Sequence, residues 1–124
     1  MDPELRGVLA DALQPADCFA DRYERAVWFA FMEPRLSRYV KDGKEREQIL
    51  HHVHCEARRV DVPPELVLAV MDVESRFNRY AVSSAGAVGL MQVMPFWPKE
   101  LGMTNSQLVR VSDNIRMGTT ILSY

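Results

Sequence analysis

A mainly α domain is predicted by three features of the sequence. Apolar residues recur at helical spacing through most of the chain, Pro, Gly and Asp punctuate those runs, and alternating strand-type patterns are weak. At 124 residues the chain is one domain with one core. Its hydrophobic fraction of 48% and charged fraction of 26% are those of a soluble globular protein.

Taken in order, residues 1–20 form a mixed segment holding Pro3 and Pro15, with a short helix expected around Glu4–Leu13. From Asp21, a candidate N-cap, Tyr23, Ala26, Val27, Ala30 and Phe31 fit a helical stripe that Pro34 interrupts. Trp28, Phe29 and Phe31 are read as core rather than as a sugar-stacking platform. After the Lys41-Asp42-Gly43 break, Lys44–Val60 sets Ile49, Leu50, Val53, Ala57 and Val60 on one face, with its charges outside it.

Asp61 or Val62 is the expected cap of the next helix, because Pro63 and Pro64 suit a first turn where a missing N–H costs nothing. That helix is placed at roughly Pro64–Ser75. Val67, Val70, Met71 and Glu74 stand at i, i+3, i+4 and i+7, so Glu74 is expected to share a buried stripe. Asp72 points about 200° away around the same helix and is a poor partner for it.

Residues 76–89 read as a loop rich in Ala, Ser and Gly, with at most a small hairpin near Tyr80–Gly89. Leu90–Met94 is expected to form one helical turn stopped by Pro95. One or two helices follow between Pro98 and Val111, and Ser112 or Asp113 is expected to cap a last helix through Ile115, Gly118, Ile121 and Leu122.

Several function classes are disfavoured by composition. A net charge of −2 offers no electrostatic reason for nucleic acid or an anionic membrane surface. No apolar run approaches the ~18 residues of a transmembrane helix. MDPELRGVLADALQ lacks a basic n-region followed by a long apolar stretch, so no signal peptide is visible. His51, His54 and Cys55 share a helix face, but no second ligand cluster exists elsewhere and they are read as structural; no metal is expected. Cys18 and Cys55 suit either one disulfide or two buried thiols.

The residue with the most chemistry is Glu74. A carboxylate on a buried stripe must pair, bind a metal or take up a proton. No Arg or Lys lies one turn before it on that stripe, and the C-terminal end of a helix disfavours negative charge. Both burial and dipole favour the neutral acid, the state required of a general acid. A capping or salt-bridging role with Arg76 or Arg79 is the plainer alternative.

The residues that follow decide between them. Glu74-Ser75-Arg76-Phe77-Asn78, Ala81-Val82-Ser83, Gly86-Ala87-Val88-Gly89-Leu90-Met91-Gln92 and Met94-Pro95 reproduce, in register, the signature of a known family. With Asn114-Ile115, Gly118 and Ile121-Leu122 downstream, residues 60–124 resemble the catalytic domain of soluble-lytic-transglycosylase type, within the goose-type-lysozyme-like superfamily. Residues 1–59 carry no such likeness and are read as an N-terminal helical extension packed on the core.

The resemblance implies a mainly α, lysozyme-like fold and non-hydrolytic cleavage of the MurNAc-β-1,4-GlcNAc bond of peptidoglycan, leaving 1,6-anhydromuramoyl ends. By the same likeness Glu74 is the catalytic acid and base, and Ser83, Gln92, Met94 and Met91 contact the glycan. It implies no cofactor, peptidoglycan strands as the partner with cell-envelope assembly proteins as further candidates, and a periplasmic or secreted location. In that compartment a Cys18–Cys55 disulfide is the expected state. The sequence itself adds that no Asp or Glu lies between Glu74 and Met94, whereas ordinary glycosidases use two carboxylates roughly 5–9.5 Å apart. The family's pattern continues with an Ala-x-Tyr-Asn-x-Gly segment that does not occur up to Tyr124, so a core without its usual C-terminal segment, open on one side, is expected. A hydrolytic muramidase using Asp113, or an inactive glycan-binding or assembly-associated domain, are the alternative readings.

Overall fold

The computed structural model describes residue 3, residues 18–19, residues 21–100 and residues 104–124. The expected helix at Glu4–Leu13 lies outside them. The described residues fold as five α-helices and one 3-10 helix with no sheet: α1 (Arg22–Leu36), α2 (Gly43–Val60), α3 (Pro64–Ser75), α4 (Phe96–Glu100), the 3-10 helix Asn105–Val109 and α5 (Val111–Leu122). The class is mainly α, as the periodicity predicts.

The central element is α2, which packs on α1, α3 and α5. Ile49, Leu50, Val53 and Ala57 are fully buried along its length, so the face read from spacing is the core face. Asp42 caps its N-terminus by accepting from the Lys44 N–H. Trp28 Nε1 of α1 donates to Leu50 O at 2.9 Å, and Arg59 of α2 donates to Thr120 Oγ1 of α5 at 2.6 Å. These bonds fix the flanking helices in register on α2.

Helix α1 starts where expected, with Asp21 accepting from the Glu24 N–H. Pro34 does not interrupt it. It sits in the last turn, where little helix remains downstream to be disrupted, and the helix runs on to Leu36. The stripe Tyr23, Val27 and Phe31 faces solvent, while Trp28 and Leu36 are buried. Phe31 is 64% exposed and therefore no core residue. α1 carries two apolar faces, and the one holding Trp28 packs on α2.

The junction before α3 differs from expectation in its capping. Asp61 ends α2 in the left-handed region (φ 58°), and Pro63 takes the N-cap with Pro64 as first helical residue. The last helix likewise begins earlier: Arg110 is its N-cap, leaving Ser112 and Asp113 inside the first turn.

Cys18 and Cys55 form a disulfide, with their Cα atoms 5.2 Å apart. It holds Phe19 against α2, where the Phe19 ring stacks on His54 at 4.0 Å and Trp28 meets the same imidazole edge-on at 5.4 Å. His54 Nε2 lies 3.2 Å from Glu24 Oε1. The histidine and cysteine residues that share a face of α2 are thus used in structure. Among the described residues no cluster of three or more His, Cys, Asp or Glu is disposed to hold a metal.

Burial pushes the His54 imidazole below the ordinary histidine value of 6.5, against the opposing pull of Glu24. Burial, with His51 adding to it, lowers His52 as well. The folded state then binds fewer protons than the unfolded chain as pH falls through 6.5, so stability drops in that direction. Tm is expected to decrease from about pH 7.5 to about pH 5.5, a window in which surface carboxylates stay ionised. Replacing His52 and His54 together by Gln should flatten that slope in a thermal-melt series, and an unchanged slope would contradict the assignment.

Candidate active site

The site is built at the C-terminal end of α3 and on the loop that returns beneath it. Glu74 occupies the last turn of α3, and immediately after Ser75 the backbone takes two successive left-handed residues, Arg76 (φ 50°) and Phe77 (φ 61°). Neither is glycine, and consecutive positive φ values at bulky residues cost of order 1–3 kcal/mol each. The reversal is held by Phe77, which is buried and packs at 5.3 Å against Tyr39, and by Ser75, whose Oγ donates to Leu90 O at 2.7 Å. That last bond ties the end of α3 directly to the returning loop.

The loop between α3 and α4 forms isolated bridges, Val82 with Val88 and Val88 with Val93, rather than strands. Leu90–Met94 is a tight turn and not the expected helical turn: Gln92 N–H donates to Gly89 O, and Val93 and Val88 exchange backbone bonds at 3.0 Å. Gln92 itself is left-handed (φ 52°), which a helix excludes.

Asn114 organises this turn from below. Buried on α5, it accepts from the Met91 N–H at 2.8 Å and donates through Nδ2 to Val88 O at 2.9 Å and Leu108 O at 2.8 Å. Gly89, at φ 82°, lies so close that a Cβ there would overlap the Asn114 amide and sit 2.7 Å from Leu108 O. Gly118 does the same for Met91, where a Cβ would stand 2.6 Å from the Met91 Cβ. Gly89 and Gly118 therefore serve close packing of the turn on α5. Asn114→Ala removes the buried partners of Leu108 O and of the Met91 N–H, while Val88 O keeps the Val93 N–H, and is expected to cost about 3 kcal/mol in urea denaturation. A loss under about 1 kcal/mol would show that solvent reaches these groups.

Glu74, Met91, Gln92 and Met94 come together around a cleft of about 210 Å³. Val70 of α3, Trp97 of α4 and Ile121 and Leu122 of α5 complete its wall. Of the adjacent aromatics, Trp97 lines the cleft and Phe96 lies tilted beside it at 5.1 Å without lining it. Ser83 stands apart: it is exposed in the loop, its Oγ accepting from the Ala87 N–H at 3.0 Å, and it does not line the cleft. Gln92 spends its amide inward, donating to Ala81 O at 3.1 Å and Gly89 O at 3.0 Å. Met91 is mostly buried, and Met94 is half-buried.

One expectation is corrected here. Glu74 is exposed at the cleft and not on a buried stripe, although Val67 and Met71 of that stripe are fully buried. The core ends one turn before the helix does. The salt-bridging alternative does not hold either, since Arg79 pairs with Glu45 at 3.7 Å and Glu74 makes no ion pair among the described residues. Asp113, the other candidate carboxylate, lies 3.9 Å from Arg110 and does not line the cleft. Among the described residues Glu74 is the sole carboxylate there. Periodicity could not have singled out Val70, Trp97, Ile121 and Leu122 as cleft residues, because their spacing is equally that of core.

Fold and cleft together define a small helical domain with one carboxylate at the head of an apolar groove. Residues 53–124 match the transglycosylase SLT domain, and the chain belongs to that family, whose lysozyme-like helical fold it shares. It is similar to the membrane-bound lytic murein transglycosylase C of Actinobacillus pleuropneumoniae serotype 5b (strain L20), 54% identical over 48 residues, which are 39% of this chain and 13% of that protein. The protein of the same description from Glaesserella parasuis serovar 5 (strain SH0165) is 41% identical over 76 residues, 54% of this chain and 21% of its own. That of Haemophilus ducreyi is 54% identical over 39 residues, 32% and 11% respectively. The chain thus spans about a fifth or less of the length of these relatives. Among the described residues no helix is long and apolar enough to cross a membrane.

Proposed function

We propose that this domain cleaves the MurNAc-β-1,4-GlcNAc bond of peptidoglycan without water, as a lytic transglycosylase with Glu74 as its single acid and base. The observation that carries this reading is the lone carboxylate: among the described residues Glu74 lines the cleft with no second Asp or Glu beside it. A two-carboxylate hydrolysis needs a partner to act as nucleophile or to activate water. With one carboxylate the substrate must supply the nucleophile. Glu74 protonates the glycosidic oxygen as the C1–O bond breaks, then accepts the proton of the muramoyl 6-hydroxyl as O6 bonds to C1. The carboxyl ends protonated, ready for another cycle.

The cleft walls suit a glycan. Trp97 offers an aromatic face, and Met91, Met94, Ile121 and Leu122 offer apolar surface for the faces of pyranose rings. A glycan laid across the opening excludes water from Glu74, the environment that favours a carboxyl carrying its proton. Gln92 and the methionines are proposed as cleft contacts. Ser83 is proposed to meet an N-acetyl group at the rim, where its hydroxyl is exposed. Residues 1–59 are proposed as an extension packed on a catalytic core of residues 60–124.

The names of the relatives and the Cys18–Cys55 disulfide support a periplasmic or secreted setting. Mass spectrometry of purified glycan strands after incubation with the protein tests the reaction. Products ending in 1,6-anhydromuramic acid are expected; reducing ends would indicate a muramidase, and unchanged strands a binding domain.

A further inference from the structure

On the far side of α3 from Glu74 lies a larger groove of about 450 Å³. Its α3 wall carries Asp72, two residues before Glu74 and about 200° around the helix, so the two recesses share no side chain. That wall is Glu65, Leu68, Ala69 and Asp72, at i, i+3, i+4 and i+7, which forms one continuous stripe. Facing it are Met32, Arg35 and Leu36 of α1, extended by Arg38 and Tyr39 in the turn that follows.

The two walls are sorted by charge. Both carboxylates stand on α3 and both guanidinium groups on α1 and its turn, with apolar side chains between. None of the four makes an ion pair among the described residues, so the walls do not close on each other. All four are solvent-exposed, which leaves them available. A neutral sugar would use neither row of charges, and a simple anion would leave two carboxylates facing it. A ligand carrying one charge of each sign at its ends satisfies both rows.

We infer that this groove binds a short peptide with both termini unblocked. Its carboxylate is held by Arg35 and Arg38, whose guanidinium groups match a carboxylate in two-point geometry. Its ammonium lies against Glu65 or Asp72. Its aliphatic side chains lie over Met32, Leu68 and Phe77.

The inference does not depend on the reading of the Glu74 cleft, and the two are separable in one experiment. Amide chemical shifts of the labelled chain are followed while Ala-Leu-Ala is added, with and without an N-acetyl and a C-amide block. Saturating shifts at residues 32–39 and 65–72 are expected for the free-ended peptide, with binding at least tenfold weaker when either end is blocked. Arg35→Gln with Arg38→Gln, and separately Glu65→Gln with Asp72→Asn, should each weaken binding at least tenfold. These side chains are exposed, and an unchanged circular-dichroism melt confirms that each variant is folded. Equal binding of the doubly blocked peptide, shifts confined to residues 91–94, or no saturable shift would each overturn the inference. A chito-oligosaccharide added to the same samples reads the Glu74 cleft independently.

Discussion

Glu74→Gln is expected to lower the release of anhydromuramoyl ends by at least ~10³-fold while leaving the fold and Tm essentially unchanged. Gln preserves the size and shape of the side chain but can neither donate an acidic proton to the glycosidic oxygen nor accept one from the 6-hydroxyl. Among the described residues no other carboxylate lines the cleft to take over either step. The near-zero stability effect follows from the structure: the side chain is exposed and makes no ion pair among the described residues, so its loss should stay within ~0.5 kcal/mol. The two readouts are chromatographic quantification of anhydro products and a thermal melt. Turnover retained within tenfold would remove Glu74 from the reaction. A fall of many degrees in Tm would instead show that the carboxylate is structural.

Opening the Cys18–Cys55 disulfide is expected to destabilise the protein by about 4 kcal/mol, read as a lower urea midpoint after reduction or in Cys18→Ser with Cys55→Ser. The bond closes a loop of 37 residues, and chain entropy for a loop of that length corresponds to about 4 kcal/mol. For a domain of this size that is a large fraction of the ~5–15 kcal/mol that separates folded from unfolded states. Packing is lost with it, because Phe19 is held beside the disulfide on His54 and Arg58 donates to Cys18 O at 2.9 Å. Since α2 contacts α5, and α5 carries Asn114 beneath the cleft turn, cleavage activity should fall with the midpoint. A shift below about 1 kcal/mol would mean that Phe19 and α1 hold their places without the crosslink.

The helices were legible wherever burial repeats with the helical period. α2 and α3 are read almost to the residue, because Ile49, Leu50, Val53, Ala57, Val67 and Met71 face one continuous core. The same reasoning misjudged α1, which has apolar residues on two faces; Tyr23, Val27 and Phe31 satisfy the spacing and still point to solvent. The composition of Leu90–Met94 allows a helical turn, whereas the Asn114 side chain, 22 positions beyond Gln92, holds it as a tight turn. The expected capping residues lie one to three positions from the observed ones; Asp61, in the left-handed region, serves the helix before it and not the one after.

By itself the sequence determined the mainly α class, the in-register motif from Glu74 to Pro95, the scarcity of carboxylates around it and the two cysteines available to pair. Those are local properties, carried by residue type and spacing. Only the tertiary structure decided that Glu74 is exposed at a cleft, that Asp113 stays with Arg110, that Trp97, Ile121 and Leu122 join the wall, and that Ser83 stands outside it. The physical reason is that a side chain's solvent exposure depends on which distant elements pack over it. α3 extends one turn beyond the core it packs against, and no periodicity along α3 records where that core ends.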